Sequence, residues 1–74
     1  MPMPKQKWEY MFVEFLDGLI IRIKNQNFFG EYKNPEDRPV WESWLGECGR
    51  KGWELAAEYS LNGKTVHATL KRPI

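Results

Sequence analysis

The sequence lacks the features of a disulfide scaffold, a membrane protein or a typical nucleic-acid-binding domain. Its single cysteine, Cys48, cannot form an internal disulfide, so a reducing compartment such as the cytoplasm is the expected location. No apolar run approaches the roughly 18 residues of a membrane span, and residues 1–6 lack the apolar stretch of a signal peptide. Eleven Lys and Arg residues against ten Asp and Glu residues give a net charge of +1, without the basic excess that phosphate binding favours.

Residues that build metal and catalytic sites are also scarce. His67 is the only histidine, whereas a metal site needs three or four ligands, so we expect no metal and no cofactor. We expect Cys48 to be a buried member of an apolar helix stripe and His67 to be a solvated strand residue beside Glu58. The two side chains would lie on opposite faces of the sheet, which argues against a Cys–His catalytic pair. The sequence therefore predicts that the protein is not an enzyme.

Aromatic side chains, in contrast, are abundant. Four Trp, three Tyr and four Phe make up 15% of the 74 residues. Each buried ring removes about 150–250 Å² from water, so a few rings can carry the core of a small chain. The length allows one domain, expected to span residues 7–74 after a disordered lead-in at residues 1–6.

Two dipeptides predict two β-hairpins. Asp17-Gly18 and Asn62-Gly63 each separate two strand-like runs, and both favour a type I′ turn, which needs positive φ at both positions. The predicted strands cover residues 8–16, 19–24, 53–61 and 64–72.

One helix is predicted between the hairpins. Asp37 is the expected N-cap, Pro39 falls in the first turn, and Gly49 and Gly52 supply the end. Gly46 costs about 1 kcal/mol relative to Ala inside a helix, which a close approach of helix and sheet would explain. An apolar stripe at helical spacing comprises Trp41, Trp44, Leu45 and Cys48. The pattern predicts an α+β fold of order ββαββ, with two hairpins in an antiparallel sheet and one helix on one face.

A two-residue turn sorts the first hairpin into two faces. The expected core face carries Trp8, Tyr10, Phe12, Leu16, Leu19, Ile21 and Ile23, and Glu14 is the one misfit on it. The opposite face then carries an apolar cluster on the side expected to meet solvent. That cluster comprises Met11, Val13, Phe15 and Ile20.

The same reasoning sorts the second hairpin. Its outward face would oppose Glu54 to Lys71 and Glu58 to His67, two opposite-charge pairs that support the register. The residues expected to point inward are Leu55, Ala57, Tyr59, Val66, Ala68 and Leu70.

Three segments carry a family resemblance: Trp8-Glu9-Tyr10, the stretch from Trp44 to Leu55, and Leu70-Lys71-Arg72-Pro73. They resemble the small bacterial proteins grouped as domain of unknown function four-one-seven-seven. The family pattern runs aromatic-Glu-Tyr, then Leu-Asn-x-Leu-Gly-x-x-Gly-Trp-Glu-Leu, then Phe-Lys-Arg-Pro. The sequence departs from it at Gly46, Cys48 and Leu70. The resemblance implies a fold and a bacterial or phage source, and no catalytic residue follows from it.

The exposed apolar cluster is the main functional signal. The long connection at residues 25–39 could fold back over it, the cluster could contact a partner, or its residues could be scattered exposed side chains without a function. The candidate interaction surface comprises Met11, Val13, Phe15, Ile20, Phe28, Phe29 and Tyr32. The first hypothesis is a non-catalytic protein-interaction or self-association module, forming a homodimer or binding another protein.

The second hypothesis is single-stranded nucleic-acid binding on the open sheet face. Phe15 with Arg22 and Lys24 would form a stacking platform, with Lys71 nearby. The net charge of +1 argues against this hypothesis, as do three acidic residues expected on the same face. Those residues are Glu9, Glu54 and Glu58.

Overall fold

One sheet and one helix form the domain in a computed structural model that describes residues 7–25, 28–60 and 62–74. The predicted lead-in at residues 1–6, and Leu61 of the third predicted strand, lie outside the described residues. The elements are β1 (Trp8–Leu16), β2 (Leu19–Asn25), β3 (Phe29–Glu31), a 3₁₀ turn (Pro35–Asp37), α1 (Trp41–Arg50), β4 (Glu54–Ser60) and β5 (Thr65–Pro73). The strands form one antiparallel sheet in the order β3-β2-β1-β5-β4. The predicted α+β class is confirmed, and the short strand β3 is an addition to it.

The first turn has the predicted backbone. Asp17 and Gly18 have φ values of 52° and 78°, and Leu16 lies opposite Leu19. Positive φ at both central positions is the requirement of a type I′ turn.

A β-bulge then shifts the register of the first hairpin. Phe15 lies opposite Ile20, but Glu14 lies opposite Arg22, so Ile21 is the extra residue of β2. Because side chains alternate between the faces, the extra residue brings Ile23 to the same face as Ile20.

The prediction of which face forms the core is wrong. The side chains predicted to form the exposed cluster are buried: Met11, Val13, Phe15 and Ile20 are 5%, 1%, 6% and 0% exposed. Tyr10 and Phe12, placed in the core by the sequence, are 45% and 53% exposed. Glu14 gives the physical reason, because a carboxylate in the middle of an apolar core would lose its solvation, whereas on the open face it bonds to Arg22. The buried core comprises Met11, Val13, Phe15, Ile20, Ile23, Trp41, Cys48, Ala68 and Leu70.

The second hairpin follows the predicted register only at its open end. Glu54 lies opposite Lys71 and Leu55 opposite Leu70, as predicted. A bulge at Ala56 then shifts the pairing of every later residue of β4.

This second bulge corrects three predicted positions. Glu58 lies opposite Ala68, on the helix side of the sheet, and not opposite His67. Tyr59 lies opposite His67 and faces away from the helix, and so does Ala57. The reason is again geometric, since one inserted residue reverses the alternation beyond it.

The helix begins later than predicted. Asp37 ends the 3₁₀ turn, and α1 begins at Trp41 after an extended Val40. The Trp41 amide donates to the Gly18 carbonyl at 2.8 Å, and Val40 forms a β-bridge with Leu19. These bonds tie the start of α1 to the first hairpin and fix the face that the helix covers.

The end of the helix agrees with the prediction in part. Gly52 has a φ of 93° beyond the last turn, a conformation that glycine adopts most readily. The explanation predicted for Gly46 is wrong, because Gly46 is exposed and the sheet does not approach it. A Cβ atom there would meet only the Arg50 guanidinium, at 3.9 Å.

Candidate interaction surface

The residues predicted to form an interaction surface separate into two groups. The four β1 and β2 residues pack in the core beneath α1, and Tyr32 of the described part of the 25–39 connection packs against this core. Phe28 and Phe29 are exposed, whereas Tyr32 is half-buried and packs against the core. Of the predicted surface, only Phe28 and Phe29 remain largely accessible.

The sheet face opposite α1 is accessible, and we call it the outer face. Its side chains lie in cross-strand rows, because directly opposed residues on neighbouring strands share a face. The row that we call the aromatic row crosses all five strands and contains Phe29, Lys24, Phe12, Thr69 and Ala57. The next row, which we call the charged row, contains Glu31, Arg22, Glu14, His67 and Tyr59.

The charged row forms a continuous chain of contacts. Arg22 donates to Glu14 at 2.6 Å, and its second terminal nitrogen lies 3.9 Å from Glu31. The other Glu14 oxygen lies 3.6 Å from Nδ1 of His67, whose ring stacks on Tyr59 with centroids 5.2 Å apart. Glu14 thereby holds partners on both neighbouring strands.

The aromatic row has large side chains at one edge of the sheet and small ones at the other. Phe29 stands on the edge strand β3 and Phe12 on the central strand β1, with Lys24 between them. Thr69 and Ala57 occupy the other two strands. Along this row the side chains therefore protrude further from the sheet at the β3 edge than at the β4 edge.

A third, shorter set of outer-face residues lies beyond the aromatic row. Tyr10 on β1 opposes Lys71 on β5, which opposes Glu54 on β4. The Lys71 ammonium lies 4.5 Å from the ring centroid of Trp8, within cation–π range. Tyr10 and Phe12 thus each face a lysine on a neighbouring strand.

A shallow depression of about 160 Å³ lies between the aromatic row and the charged row. Phe12 and Lys24 line one side, and Glu14, His67 and Tyr59 line the other. Pockets that bind drug-sized molecules enclose about 300–1,000 Å³, so this depression is large enough for a single ring at most.

The segments that carry the family resemblance meet at one end of the domain, on the helix side. Arg72 binds Glu9 through an ion pair, and its guanidinium carbon lies 4.5 Å from the Trp53 ring centroid. The Arg72 side chain also donates to the Lys51 carbonyl at 3.3 Å. A Cβ atom on Gly52 would lie 3.4 Å from Cδ of Arg72. These contacts give the resembling residues on the helix side a structural role.

Cys48 has the environment of a structural thiol. It lies in the core, where burial raises the pKa of the thiol above its usual value, and the nearby Lys51 charge opposes that shift only in part. His67 lies on the outer face and Cys48 beneath the other face, so the structure does not bring them together. Within the described ranges, no group of three or more His, Cys, Asp and Glu side chains is arranged to hold a metal ion.

The comparison with known proteins finds no relative of this chain. No protein-family model matches the chain, and neither a curated protein nor a solved structure does. The resemblance described above therefore stays a prediction. Across residues 7–25, 28–60 and 62–74, no helix has both the length and the apolar character needed to cross a membrane.

Sequence reasoning missed Tyr10, Phe12 and Tyr59 as exposed residues. The available signal was Glu14, a carboxylate at the centre of the face that was predicted to be core. Placing Glu14 outward reverses β1 and exposes both Tyr10 and Phe12. The position of Tyr59 had no such signal, because it depends on the bulge at Ala56.

Proposed function

We propose that this protein is a non-catalytic module that self-associates through its outer face. The observation that supports the proposal is a set of exposed rings on the face that α1 does not cover: Tyr10, Phe12, Phe29 and Tyr59. Exposed aromatic side chains are enriched in protein interfaces, and a contiguous group of them commonly marks a contact site.

The charge of the outer face also supports contact between protein surfaces. Three basic residues face three acidic ones, so the formal charge of the face is zero with His67 neutral. Two copies can therefore meet without net repulsion, and a polyanion gains little long-range attraction. The residues are Arg22, Lys24 and Lys71 against Glu14, Glu31 and Glu54.

The sheet edges are poor candidates for the same contact. Strand β3 has three residues, and strand β4 has a bulge at Ala56 and a charged Glu58 on the helix side. Short strands, bulges and inward charges are the features that oppose pairing between edges. The outer face is therefore the better candidate surface for self-association.

Sedimentation equilibrium on the full chain tests the proposal. We expect the wild type to associate reversibly and Phe12→Glu to stay monomeric, because the substitution places a charge at the centre of the face. Ser43→Glu is the matched control, since Ser43 is exposed on α1, which lies on the other side of the sheet. A wild type that remains monomeric at all accessible concentrations contradicts the proposal, as does equal loss of association in both variants.

A second candidate function is binding of single-stranded nucleic acid on the same face. Its support is the pairing of Phe12 with Lys24 and of Tyr10 with Lys71, which sets a cation beside each exposed ring. The register moves Glu9 and Glu58 to the helix side but places Glu14 on this face with Glu31 and Glu54, so three carboxylates still oppose binding of a polyanion.

Fluorescence anisotropy with a labelled single-stranded oligonucleotide at low salt tests this second candidate. Binding that weakens in Lys24→Gln and with added salt supports it. The absence of binding at high micromolar protein concentration removes it.

The compartment and the source are further parts of the proposal. A free, buried Cys48 supports a reducing compartment such as the cytoplasm. The family resemblance supports a bacterial or phage source.

A further inference from the structure

We infer that two copies of this chain pack outer face against outer face about a two-fold axis that runs along β1. This inference rests on the proposed self-association and specifies which residues meet. It follows from the unequal side-chain sizes along the aromatic row and from the order of charges along the charged row.

Face-to-face sheets with aligned strands allow only two orientations of such an axis. Stacked sheets pack about 10 Å apart with strand directions within about 30° of each other. A two-fold axis in the plane of contact must then lie close to the strand direction or close to perpendicular to it.

The perpendicular axis brings like charges together. It places each strand over the same strand of the second copy. When the axis lies between the two rows, the aromatic row of one copy lies over the charged row of the other. Lys24 then opposes Arg22 of the second copy, and Phe29 opposes Glu31. Among the described residues Arg22 pairs with Glu14 but Lys24 pairs with no carboxylate, so this axis places an unneutralised cation against Arg22 at a desolvated interface.

The axis along β1 exchanges the two halves of the sheet instead. In the order β3-β2-β1-β5-β4, it places β3 over β4 and β2 over β5 of the second copy. The protruding Phe29 then lies over the small Ala57, and the Lys24 ammonium lies over the Thr69 hydroxyl, which can accept its hydrogen bond. Phe12 meets its own copy on the axis, where two exposed rings pack together.

The charged row is compatible with this arrangement. Glu31 opposes Tyr59 of the second copy, whose hydroxyl can donate to the carboxylate. The two Glu14 carboxylates approach the axis, but Arg22 of the same copy already bonds to each at 2.6 Å. Arg22 opposes His67, so no pair of unneutralised like charges meets while His67 is neutral.

The available area sets the expected strength. Five strands spaced about 4.8 Å apart, with an average of seven residues of roughly 3.3 Å each, give a flat face of about 550 Å². Two such faces bury about 1,100 Å², just below the roughly 1,200 Å² of standard specific interfaces, so the dimer should be weak and reversible.

A size-exchange experiment on the full chain tests the arrangement. We expect Phe29→Ala and Ala57→Phe each to weaken dimerisation about tenfold, the first by leaving a gap and the second by a clash. The double variant restores a large residue opposite a small one, and its dimerisation constant should return to within about threefold of the wild type.

The design separates contact between copies from effects within one copy. Strands β3 and β4 are the opposite edges of one sheet, about 19 Å apart at four strand spacings, so residues 29 and 57 cannot touch within a chain. Both residues are exposed, so neither substitution removes core packing. Rescue in the double variant supports the axis along β1.

Two results overturn the inference in distinguishable ways. Additive losses in the double variant, with a wild type that dimerises, reject this arrangement and leave self-association standing. A monomeric wild type rejects both the arrangement and the proposed function.

Discussion

Phe15 and Trp41 stack with ring centroids 4.4 Å apart and an interplanar angle of 14°. This contact joins the central strand β1 to the first residue of α1, and it selects the face of the sheet that the helix covers. Trp44 extends the stack, with its centroid 5.9 Å from that of Trp41. Because Phe15 is buried here, Phe12 on the same strand must face solvent.

The face assignment can be tested by one substitution made at two positions. Phe15→Leu should lower the free energy of unfolding by about 1–2 kcal/mol, because it loses ring stacking and buried volume. Phe12→Leu should change it by less than about 0.5 kcal/mol, since Phe12 is exposed. Urea unfolding followed by tryptophan fluorescence measures both, at concentrations where the chain is monomeric. The reverse order of the two effects would contradict the face assignment.

Two glycines near the end of α1 should respond in opposite directions to the same change. Gly52→Ala forces a side chain into a φ of 93° beside Arg72 and should cost about 1–2 kcal/mol of stability. Gly46→Ala lies in an exposed helical position and should stabilise the domain by about 0.5–1 kcal/mol. Thermal unfolding by circular dichroism measures both. Equal destabilisation by both variants would mean that Gly46 has a packing role.

Arg72 should not be replaceable by lysine. Arg72→Lys keeps the positive charge near Glu9 but loses the planar group that lies over Trp53, so we expect a loss of about 1 kcal/mol. The control is Lys71→Arg at the neighbouring position, which keeps its cation–π contact with Trp8 and should be close to neutral. Equal stability of the two variants by urea unfolding would remove the role assigned to Arg72.

The buried thiol should make stability fall at alkaline pH. Burial raises the pKa of Cys48 in the folded chain, so the unfolded chain loses this proton first as pH rises. The contribution of the thiol is complete below the unfolded pKa of about 8.5 and decreases as pH rises toward the folded value.

The comparison of wild type with Cys48→Ala isolates this effect from other groups that titrate at high pH. Between about pH 8 and pH 10, the free energy of unfolding should fall more steeply for the wild type than for the variant. Urea unfolding at both pH values measures the difference. Parallel decreases in the two proteins would show that Cys48 does not contribute.

Local signals in the sequence predicted the elements of the fold well. Asp17-Gly18 has the positive φ values of the predicted turn, and the apolar stripe of the helix holds Trp41 and Cys48 in the core. These features depend on backbone geometry and residue spacing over a few positions, which a sequence displays directly.

The candidate site was predicted less well, for a reason that concerns single residues. The extra residues Ile21 and Ala56 each reverse the side-chain alternation of their strand, and no residue in their vicinity signals a bulge. Tyr59 was accordingly placed in the core. Phe12 and Phe15 were exchanged for another reason, because β1 alternates without a bulge and the prediction assigned the core to the wrong one of its two faces.

The sequence by itself determined the α+β class, the order of hairpin, helix and hairpin, and the excess of aromatic side chains that a small core can only partly absorb. The tertiary structure alone decided which rings stay outside. Strand alternation offers two apolar faces, and the number of large side chains does not rank them because both carry several. The choice follows from the bonds that set Trp41 against Gly18 and Phe15, and from Glu14, whose carboxylate finds Arg22 only on the open face.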